Sequence, residues 1–226
     1  MSKTQWAAVD RYIAEKLAPS DPALDETLAS IAKAKLPAIN VSPGQGKFLQ
    51  VLALAVGASR ILEIGTLAAY STIWLARALA PGGHLVTLEA DEKHAEISRR
   101  NLHAAGLDRT VELRLGRAAD SLRQLAAEGQ PPFDLIFIDA DKESIPEYVA
   151  GSLKLSRRGT LLVVDNVVRE GRLADPESTD PGVLGARRLH DRLAQLAAEG
   201  RVAAATLQTV GGKGYDGFTL AVVLAP

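Results

Sequence analysis

The sequence predicts an α/β fold, in which a doubly wound, mainly parallel β-sheet is followed by an antiparallel hairpin. From about residue 60 onward, short runs of Val, Ile, Leu and Phe alternate with longer helical stretches. Such near-continuous apolar runs are typical of parallel strands buried on both faces, and the alternation favours right-handed crossovers. At the end of the chain, two apolar runs are separated only by a Gly-rich stretch, which indicates a hairpin.

The segment before this core is predicted to be helical. Prolines lie at positions 19, 22, 37 and 43. Because proline is disfavoured inside a helix, they are expected to divide this segment into separate helices. No shift in composition marks it as independent. We therefore expect a single domain over residues 1–226, with a helical cap over 1–58 and an α/β core over 59–226. The cap helices are predicted at about 4–17, 22–35 and 44–57.

The core is predicted to contain seven strands. The five parallel strands are ILEIG (61–65), HLVTLEA (84–90), TVELRLG (110–116), FDLIFIDA (133–140) and TLLVVDN (160–166). Helices are expected at about 70–80, 92–105, 117–128, 143–156 and 182–199. The hairpin strands are RVAAATLQTV (201–210) and FTLAVVLAP (218–226), joined by the loop GGKGYDG (211–217).

Composition excludes several classes of function. The 226 residues carry a formal net charge of -1 and include no cysteine. Near-neutral charge argues against a nucleic acid or an anionic membrane as partner. Without cysteine there are no disulfides, thiolate nucleophiles or zinc–thiolate sites, so a metal would need oxygen or imidazole ligands. The polar N-terminus does not resemble a signal peptide, and no apolar run reaches the roughly 20 residues of a spanning helix. We expect a cytoplasmic protein.

The first candidate site residues follow the first strand, where ligands bind in open parallel sheets. Gly65 allows the backbone after this strand to approach a ligand, although an ordinary strand-to-helix turn would look the same. The turn lacks the three glycines that bind a dinucleotide pyrophosphate. Glu89 ends the second strand, 24 residues after Gly65, where an acid typically binds ribose hydroxyls; the neighbouring Asp91 could instead cap a helix. Together these residues favour an adenosine-containing ligand.

The second candidate site follows the fourth and fifth strands. Asp139 ends one of these strands, and Asp165 and Asn166 end the other. Adjacent parallel strands bring these side chains to one edge of the sheet, and their oxygens suit Mg²⁺, Mn²⁺ or Ca²⁺. The alternative is that Asp141 and Asp165 cap the following segments while Asp139 forms an ion pair with a lysine.

That lysine is Lys142, three residues after Asp139. A nearby metal disfavours the ammonium form of a lysine, which would make Lys142 a general base. A solvated surface lysine is the alternative.

At these residues the chain resembles the cation-dependent O-methyltransferases that use S-adenosylmethionine (SAM), a family that includes caffeoyl-CoA and catechol O-methyltransferases and their bacterial relatives. The fold of that family is a Rossmann-like, doubly wound, seven-stranded methyltransferase sheet. The resemblance rests on motifs from Val41 to the C-terminus: VSPGQGKFL, EIGTLAAYS, the acid Glu89, GRAAD, FIDADK, VVDN and YDGFTLAVVL.

The resemblance implies functional residues at the matching positions. Those implied around SAM are Val41, Ser42, Glu63, Gly65, Thr66, Tyr70, Ser71, Glu89, Ala118, Asp139 and Asp141. Within this set, Glu89 would bind the ribose and Ala118 would contact the adenine. The implied metal ligands are Asp139, Asp165 and Asn166, with Mg²⁺ expected and Mn²⁺ or Ca²⁺ as alternatives. Asp139 and Lys142 would be catalytic, with Lys142 as the base.

Three positions depart from the family pattern. Ala69 stands where relatives usually have Gly, Arg169 where many have Trp, and Glu170 where the plant enzymes have a substrate-contacting Asn. The cofactor and metal are therefore better supported than a CoA-thioester acceptor.

The predicted function is methyl transfer to a hydroxyl of a catechol-like small molecule, such as a polyphenol, flavonoid or hydroxycinnamoyl derivative. A homodimer is expected from the resemblance. The alternatives are a nucleotide-linked oxidoreductase and a non-catalytic adenosine-binding or partner-binding module on the same fold.

Overall fold

The computed structural model describes residues 2–226. The α-helices among them are α1 (Lys3–Leu17), α2 (Pro22–Lys33), α3 (Pro43–Ala55), α4 (Tyr70–Ala76), α5 (Glu92–Ala104), α6 (Ala118–Ala127), α7 (Ile145–Lys154) and α8 (Pro181–Ala198). The strands are β1 (Arg60–Ile64), β2 (His84–Glu89), β3 (Val111–Leu115), β4 (Phe133–Ile138), β5 (Ser156–Asp165), β6 (Val202–Gly211) and β7 (Gly214–Val223). A 3₁₀ segment covers Arg169–Ala174.

The strands of residues 2–226 belong to a seven-stranded mixed sheet with a C-terminal antiparallel pair. This confirms the predicted fold class, the Rossmann-like sheet with an appended hairpin. The chain divides into two compact units, one formed by residues 8–118 and the other by residues 119–226 together with the start of α1. Whether the whole chain behaves as the predicted single domain stays a prediction.

The unit of residues 8–118 contains β1, β2 and β3, which pair in parallel in the order β3-β2-β1. Ile64 at the end of β1 lies opposite Leu88 of β2, so the residues after both strands meet at one edge of the sheet. Two of the predicted cap helices pack here, α3 against α4 and α2 against α5. The approach of α3 requires Gly46, because a Cβ at that position would overlap the Trp74 indole.

The unit of residues 119–226 contains the other four strands, in the order β4-β5-β7-β6. β4 and β5 pair in parallel with Ile138 opposite Val164, so the residue after β4 lies beside the end of β5. β7 runs antiparallel to both β5 and β6, with Phe218 opposite Asp165. The tip of the β6–β7 hairpin therefore extends past the carboxyl end of β5.

The hairpin turn differs from the sequence prediction. A seven-residue loop was expected at 211–217, but the turn consists of Gly212 and Lys213 alone, and the strands continue to Gly211 and from Gly214. The glycines are compatible with strand pairing here because the two backbones come very close. A Cβ on Gly217 would overlap the Leu207 carbonyl oxygen of the paired strand. Glycine content therefore wrongly indicated a loop.

The chain between β5 and α8 also contains structure that was not predicted. Its 3₁₀ segment is kinked at Glu170 (φ 58°) and Gly171 (φ 86°). Arg169 just before them is left-handed as well, with φ 57°. No periodicity marks such a segment, so sequence patterning did not reveal it.

Two of the predicted cap helices, α2 and α1, are distinguished by capping and by burial, respectively. α2 begins at Asp21, whose carboxylate accepts hydrogen bonds from the backbone N–H groups of Ala23 and Leu24, which is a standard N-cap. α1, by contrast, contains no buried residue. No helix within residues 2–226 has the length and apolar character needed to cross a membrane.

Candidate functional site

The loop after β1 has an unusual backbone. Gly65 has φ 99°, and its N–H donates to the carbonyl of Leu88 in β2. Leu67 (φ 54°) and Ala69 (φ 68°) are left-handed without being glycine, a conformation that costs roughly 1–2 kcal/mol per residue. Ala69 is completely buried. The alanine that replaces the family's glycine is thus accommodated with the glycine-like backbone retained.

Glu89 holds this loop in place. Its Oε2 accepts hydrogen bonds from the backbone N–H groups of Thr66 (3.3 Å) and Leu67 (2.8 Å). Its Oε1 accepts from the N–H groups of Ala90 and Asp91, both at 2.9 Å. Asp91 itself caps α5 by accepting a hydrogen bond from the N–H of His94. This is the helix cap that was predicted from the sequence as the alternative role of Asp91. A carboxylate so oriented at the strand end suits ribose hydroxyls, although ribose binding stays a prediction.

Glu63 lies beneath the loop and is fully buried. It accepts hydrogen bonds from three hydroxyls, Ser71 Oγ at 2.6 Å, Thr72 Oγ1 at 2.5 Å and Thr87 Oγ1 at 2.7 Å. This network ties the start of α4 to β1 and β2. Sequence reasoning missed both threonines, since a hydroxyl in an apolar run has no distinctive local pattern.

The other residues implied around the cofactor occupy helix starts. Ser42 caps α3 in a capping box with Gln45, and Val41 before it is buried. Tyr70 opens α4 and is 2% exposed, and burial raises the pKa of its hydroxyl. Ala118 is half-buried at the start of α6. Contact of these residues with SAM stays a prediction.

The second group of site residues lies at the ends of β4 and β5. Lys142 Nζ donates to Asp139 Oδ1 at 2.6 Å, and the lysine side chain is only 11% exposed. Lys142 is therefore a partly buried, paired cation, not the solvated surface lysine of the alternative. A Cβ on Gly185 would overlap the Lys142 carbonyl oxygen, so this glycine allows α8 to pack directly on the loop that carries the lysine.

Asp165 is the most perturbed acid of this group. It is 7% exposed, and its Oδ1 accepts a hydrogen bond from the N–H of Asn166 at 2.8 Å. Burial, followed by the negative charge of Asp139, raises the pKa of Asp165 to about 7, while Lys142 opposes the shift. Asn166 has φ 58°, a conformation that asparagine tolerates better than most residues.

Asp141 forms hydrogen bonds with residues that follow it closely in the chain. It accepts hydrogen bonds from the backbone N–H of Ser144 at 3.1 Å and from the Tyr148 hydroxyl. Burial and the bond to Asp141 raise the pKa of Tyr148 to about 12. These contacts and the Asp139–Lys142 pair agree with the alternative interpretation, in which the acids cap the following segments and form an ion pair. A cofactor contact of Asp141 stays a prediction.

The structure adds residues to this group that sequence reasoning did not assign. Asp216 Oδ1 accepts hydrogen bonds from the N–H groups of Val168 (3.0 Å), Arg169 (2.9 Å) and Gly217 (2.9 Å). Lys213 in the hairpin turn is exposed; partial desolvation lowers its pKa, and the charges of Asp139 and Asp165 oppose that shift. Asp216 belongs to the motif YDGFTLAVVL, but its position in the chain gave no indication that it would accept hydrogen bonds from Val168 and Arg169.

The donor set is compatible with a hard cation. Across residues 2–226, no group of three or more His, Asp or Glu side chains is arranged to hold a metal; the predicted set has two carboxylates and an amide. Asp165 nevertheless combines burial with a like charge nearby, an arrangement that a divalent cation would relieve. The residues therefore fit an oxygen-ligated Mg²⁺, Mn²⁺ or Ca²⁺.

Comparison with known proteins identifies the family. A family model described as O-methyltransferase matches residues 14–223. The chain belongs to the O-methyltransferase family. This enzyme is 52% identical to a catechol O-methyltransferase of Niastella koreensis, over 99% of this chain and 100% of the relative.

Solved structures resemble this O-methyltransferase closely. One is an O-methyltransferase from Bacillus cereus in complex with SAH, with 56% identity and a TM-score of 0.94 over 98% of this chain and 100% of that one. Another is TomG from Streptomyces achromogenes, involved in tomaymycin synthesis and solved with SAM, with 48% identity and a TM-score of 0.94 over the whole of both chains. The family confirms the predicted enzyme class and does not support the oxidoreductase or the non-catalytic module.

Proposed function

We propose that this O-methyltransferase transfers the methyl group of SAM to a hydroxyl of a catechol-like small molecule with the help of a divalent cation. The observation that carries the proposal is the pair of acids Asp139 and Asp165, one paired with Lys142 and the other buried. The name of the Niastella relative supports a catechol-type acceptor.

SAM is proposed as the methyl donor because two close structural relatives were solved with SAH or SAM. In this chain, the loop Gly65–Ala69 follows the end of β1 with a left-handed backbone at Leu67 and Ala69, and Glu89 fixes it through Thr66 and Leu67. A carboxylate at the end of β2 suits the two ribose hydroxyls.

The cation is proposed to bind through Asp139, Asp165 and Asn166. Bound SAM supplies a methyl group on a sulfonium, and a bound divalent cation supplies Lewis acidity that makes an acceptor hydroxyl more acidic. Asp139 and Asp165 would provide the negative charge that holds the cation, and Asn166, whose backbone is left-handed, would add its amide oxygen.

Lys142 is proposed to take up the proton of the acceptor hydroxyl. Asp139 holds the Lys142 ammonium at 2.6 Å; beside a bound divalent cation this ammonium would more readily lose its proton to water, leaving the neutral amine that can accept the hydroxyl proton. The packing of α8 through Gly185 fixes the backbone of Lys142. Its low exposure limits access of water, which strengthens electrostatic interactions at this point.

The experiment is a panel of catechols, flavonoids and hydroxycinnamoyl esters, incubated with purified enzyme, SAM and Mg²⁺ and analysed by mass spectrometry. Singly methylated catechols are expected with Mg²⁺, and at least tenfold less product with EDTA. Equal rates with and without chelator would refute the cation, and absence of any methylated catechol would refute the acceptor class.

A homodimer is proposed from the surface of α1. Four apolar residues at helical spacing, Val9, Tyr12, Ile13 and Leu17, are 42–67% exposed. A helix with such a stripe gains stability by burying it. Sedimentation of the wild type should show a dimer, and Tyr12→Asp should shift the protein towards the monomer. A monomeric wild type would refute the proposal.

A further inference from the structure

Arg169 stands out in the segment after β5. Its φ of 57° and that of Glu170, 58°, are left-handed, a conformation that bulky residues rarely adopt without a compensating constraint. The constraint is Asp216, whose Oδ1 accepts the N–H groups of both Val168 and Arg169. The fold thus holds the backbone of Arg169 in a set conformation.

The Arg169 side chain points towards the loop of the catalytic lysine. Its Nε lies 3.6 Å from where a Cβ on Gly182 would be, and that same point is 3.3 Å from the Lys142 Cβ. The guanidinium therefore lies next to the segment that carries Asp139 and Lys142; a Cβ at position 182 would contact Arg169 Nε and press on the Lys142 Cβ.

The Arg169 Nε–H is buried without a hydrogen-bond partner among residues 2–226. A buried donor left unpaired is costly, and such groups in native proteins call for an explanation. Arg169 also forms no ion pair within the described chain, although Asp139, Asp165 and Asp216 lie in the same region. Because the protein covers the Nε atom itself, a ligand would pair with the Nη groups at the end of the same guanidinium, which have no hydrogen-bond acceptor within residues 2–226.

A second cation lies near the same acids. Lys213, at the tip of the hairpin, is exposed and interacts electrostatically with Asp139 and Asp165. Neither Lys213 nor Arg169 forms an ion pair within residues 2–226, so an anionic group on the acceptor would meet two cations without an ion-pair partner in the described chain.

We infer that Arg169 is a specificity-determining residue that binds a carboxylate on the ring of the acceptor, so that the preferred substrates are anionic catechols such as dihydroxybenzoates or dihydroxycinnamates. The planar fork of a guanidinium matches a carboxylate in two parallel hydrogen bonds. This inference rests on the proposed catechol methylation and names its substrate class.

The test compares three acceptors, 3,4-dihydroxybenzoate, uncharged catechol and cationic dopamine, with SAM and Mg²⁺. Arg169→Met should lower kcat/KM for the dihydroxybenzoate about 10- to 100-fold, mainly through KM, as expected for a lost charged hydrogen bond. Its kcat/KM for catechol and dopamine should stay within about threefold of wild type. Arg169→Lys should restore part of the lost preference, and Arg100→Met, an exposed arginine on α5, should change nothing.

A binding measurement separates recognition from folding. Calorimetry on the SAH- and Mg²⁺-loaded protein should show weaker dihydroxybenzoate binding in Arg169→Met and unchanged catechol binding. An equal loss for all three acceptors, or no loss for any, would overturn the inference. A wild type that methylates none of them would instead refute the proposed function, and the inference with it.

Discussion

Lys142 Nζ and Asp139 Oδ1 lie 2.6 Å apart, and the two side chains are 11% and 21% exposed. The pair joins the proposed base to a proposed metal ligand. Lys142 is proposed to act in the chemical step, whereas Asp139 is proposed to act both in the chemical step and in cation binding. Substitutions of the two residues should therefore have separable effects.

Replacing Lys142 by Met should lower kcat for catechol methylation by about 10²–10⁴-fold, the usual contribution of a positioned base. Cation binding should persist, because the ligand oxygens remain. Asp139→Ala should abolish both. Steady-state kinetics and Mn²⁺ titration by calorimetry provide the two readouts, and loss of Mn²⁺ binding in Lys142→Met would contradict the assignment.

The buried carboxylate of Asp165 predicts that the cation stabilises the fold. Binding to the native state alone adds about 2.7 kcal/mol when the cation is at a hundred times its Kd, so Mg²⁺ should raise the melting temperature of the wild type. Asp165→Asn should melt at least as high as wild type without Mg²⁺, since an amide avoids burying a charge beside Asp139. The same variant should not respond to Mg²⁺. A Mg²⁺-dependent rise in the melting temperature of Asp165→Asn would contradict this.

The left-handed backbone of Ala69 predicts a stabilising substitution. Ala69→Gly should increase the free energy of unfolding by about 1 kcal/mol, because glycine adopts φ 68° without the steric cost borne by alanine. Ala68 is a matched control, equally buried but without a positive φ. Ala68→Gly should destabilise the protein. Urea unfolding measures both, and destabilisation by Ala69→Gly would show that the turn is not strained.

Asp21 predicts a pH dependence of stability. Its carboxylate caps α2 and also accepts from Arg77 Nη1 at 2.6 Å and Nη2 at 3.2 Å. The hydrogen bond from Arg77 is the main cause of the lowered pKa of Asp21, which burial opposes. The folded pKa lies below the unfolded value, so this contribution is complete above the unfolded pKa of 3.8 and is lost as the pH falls through the folded one.

Two variants of Asp21 separate the cap from the ion pair. Asp21→Asn keeps the cap and should cost at most about 1 kcal/mol at pH 7, since the pair is partly exposed. Asp21→Ala should cost about 1 kcal/mol more through the lost cap. The difference between wild type and Asp21→Asn in urea unfolding should shrink from pH 7 to pH 3. An unchanged difference would show that the pair does not contribute.

Much of the fold was predictable because it depends on local patterns. Continuous apolar runs marked the parallel strands, and prolines marked the starts of α2 and α3 at Pro22 and Pro43. The hairpin turn was wrong because glycine content indicates a loop, whereas at Gly217 it reflects the close approach of a paired strand. The 3₁₀ segment was missed because its backbone is set by Asp216, 47 residues after Arg169.

The sequence by itself determined the α/β class, the oxygen-based character of any metal site and the motif residues of the O-methyltransferase family. Each of these depends on residue type and short-range spacing. Only the tertiary structure decided between alternatives that the sequence left open, such as a paired or a solvated Lys142, and which other groups lie near the motif residues. Through strand register and loop geometry, Asp216 and Lys213 come near the acids of β4 and β5, and Arg169 comes near Lys142. Those contacts join residues distant in the chain, and no local pattern encodes them.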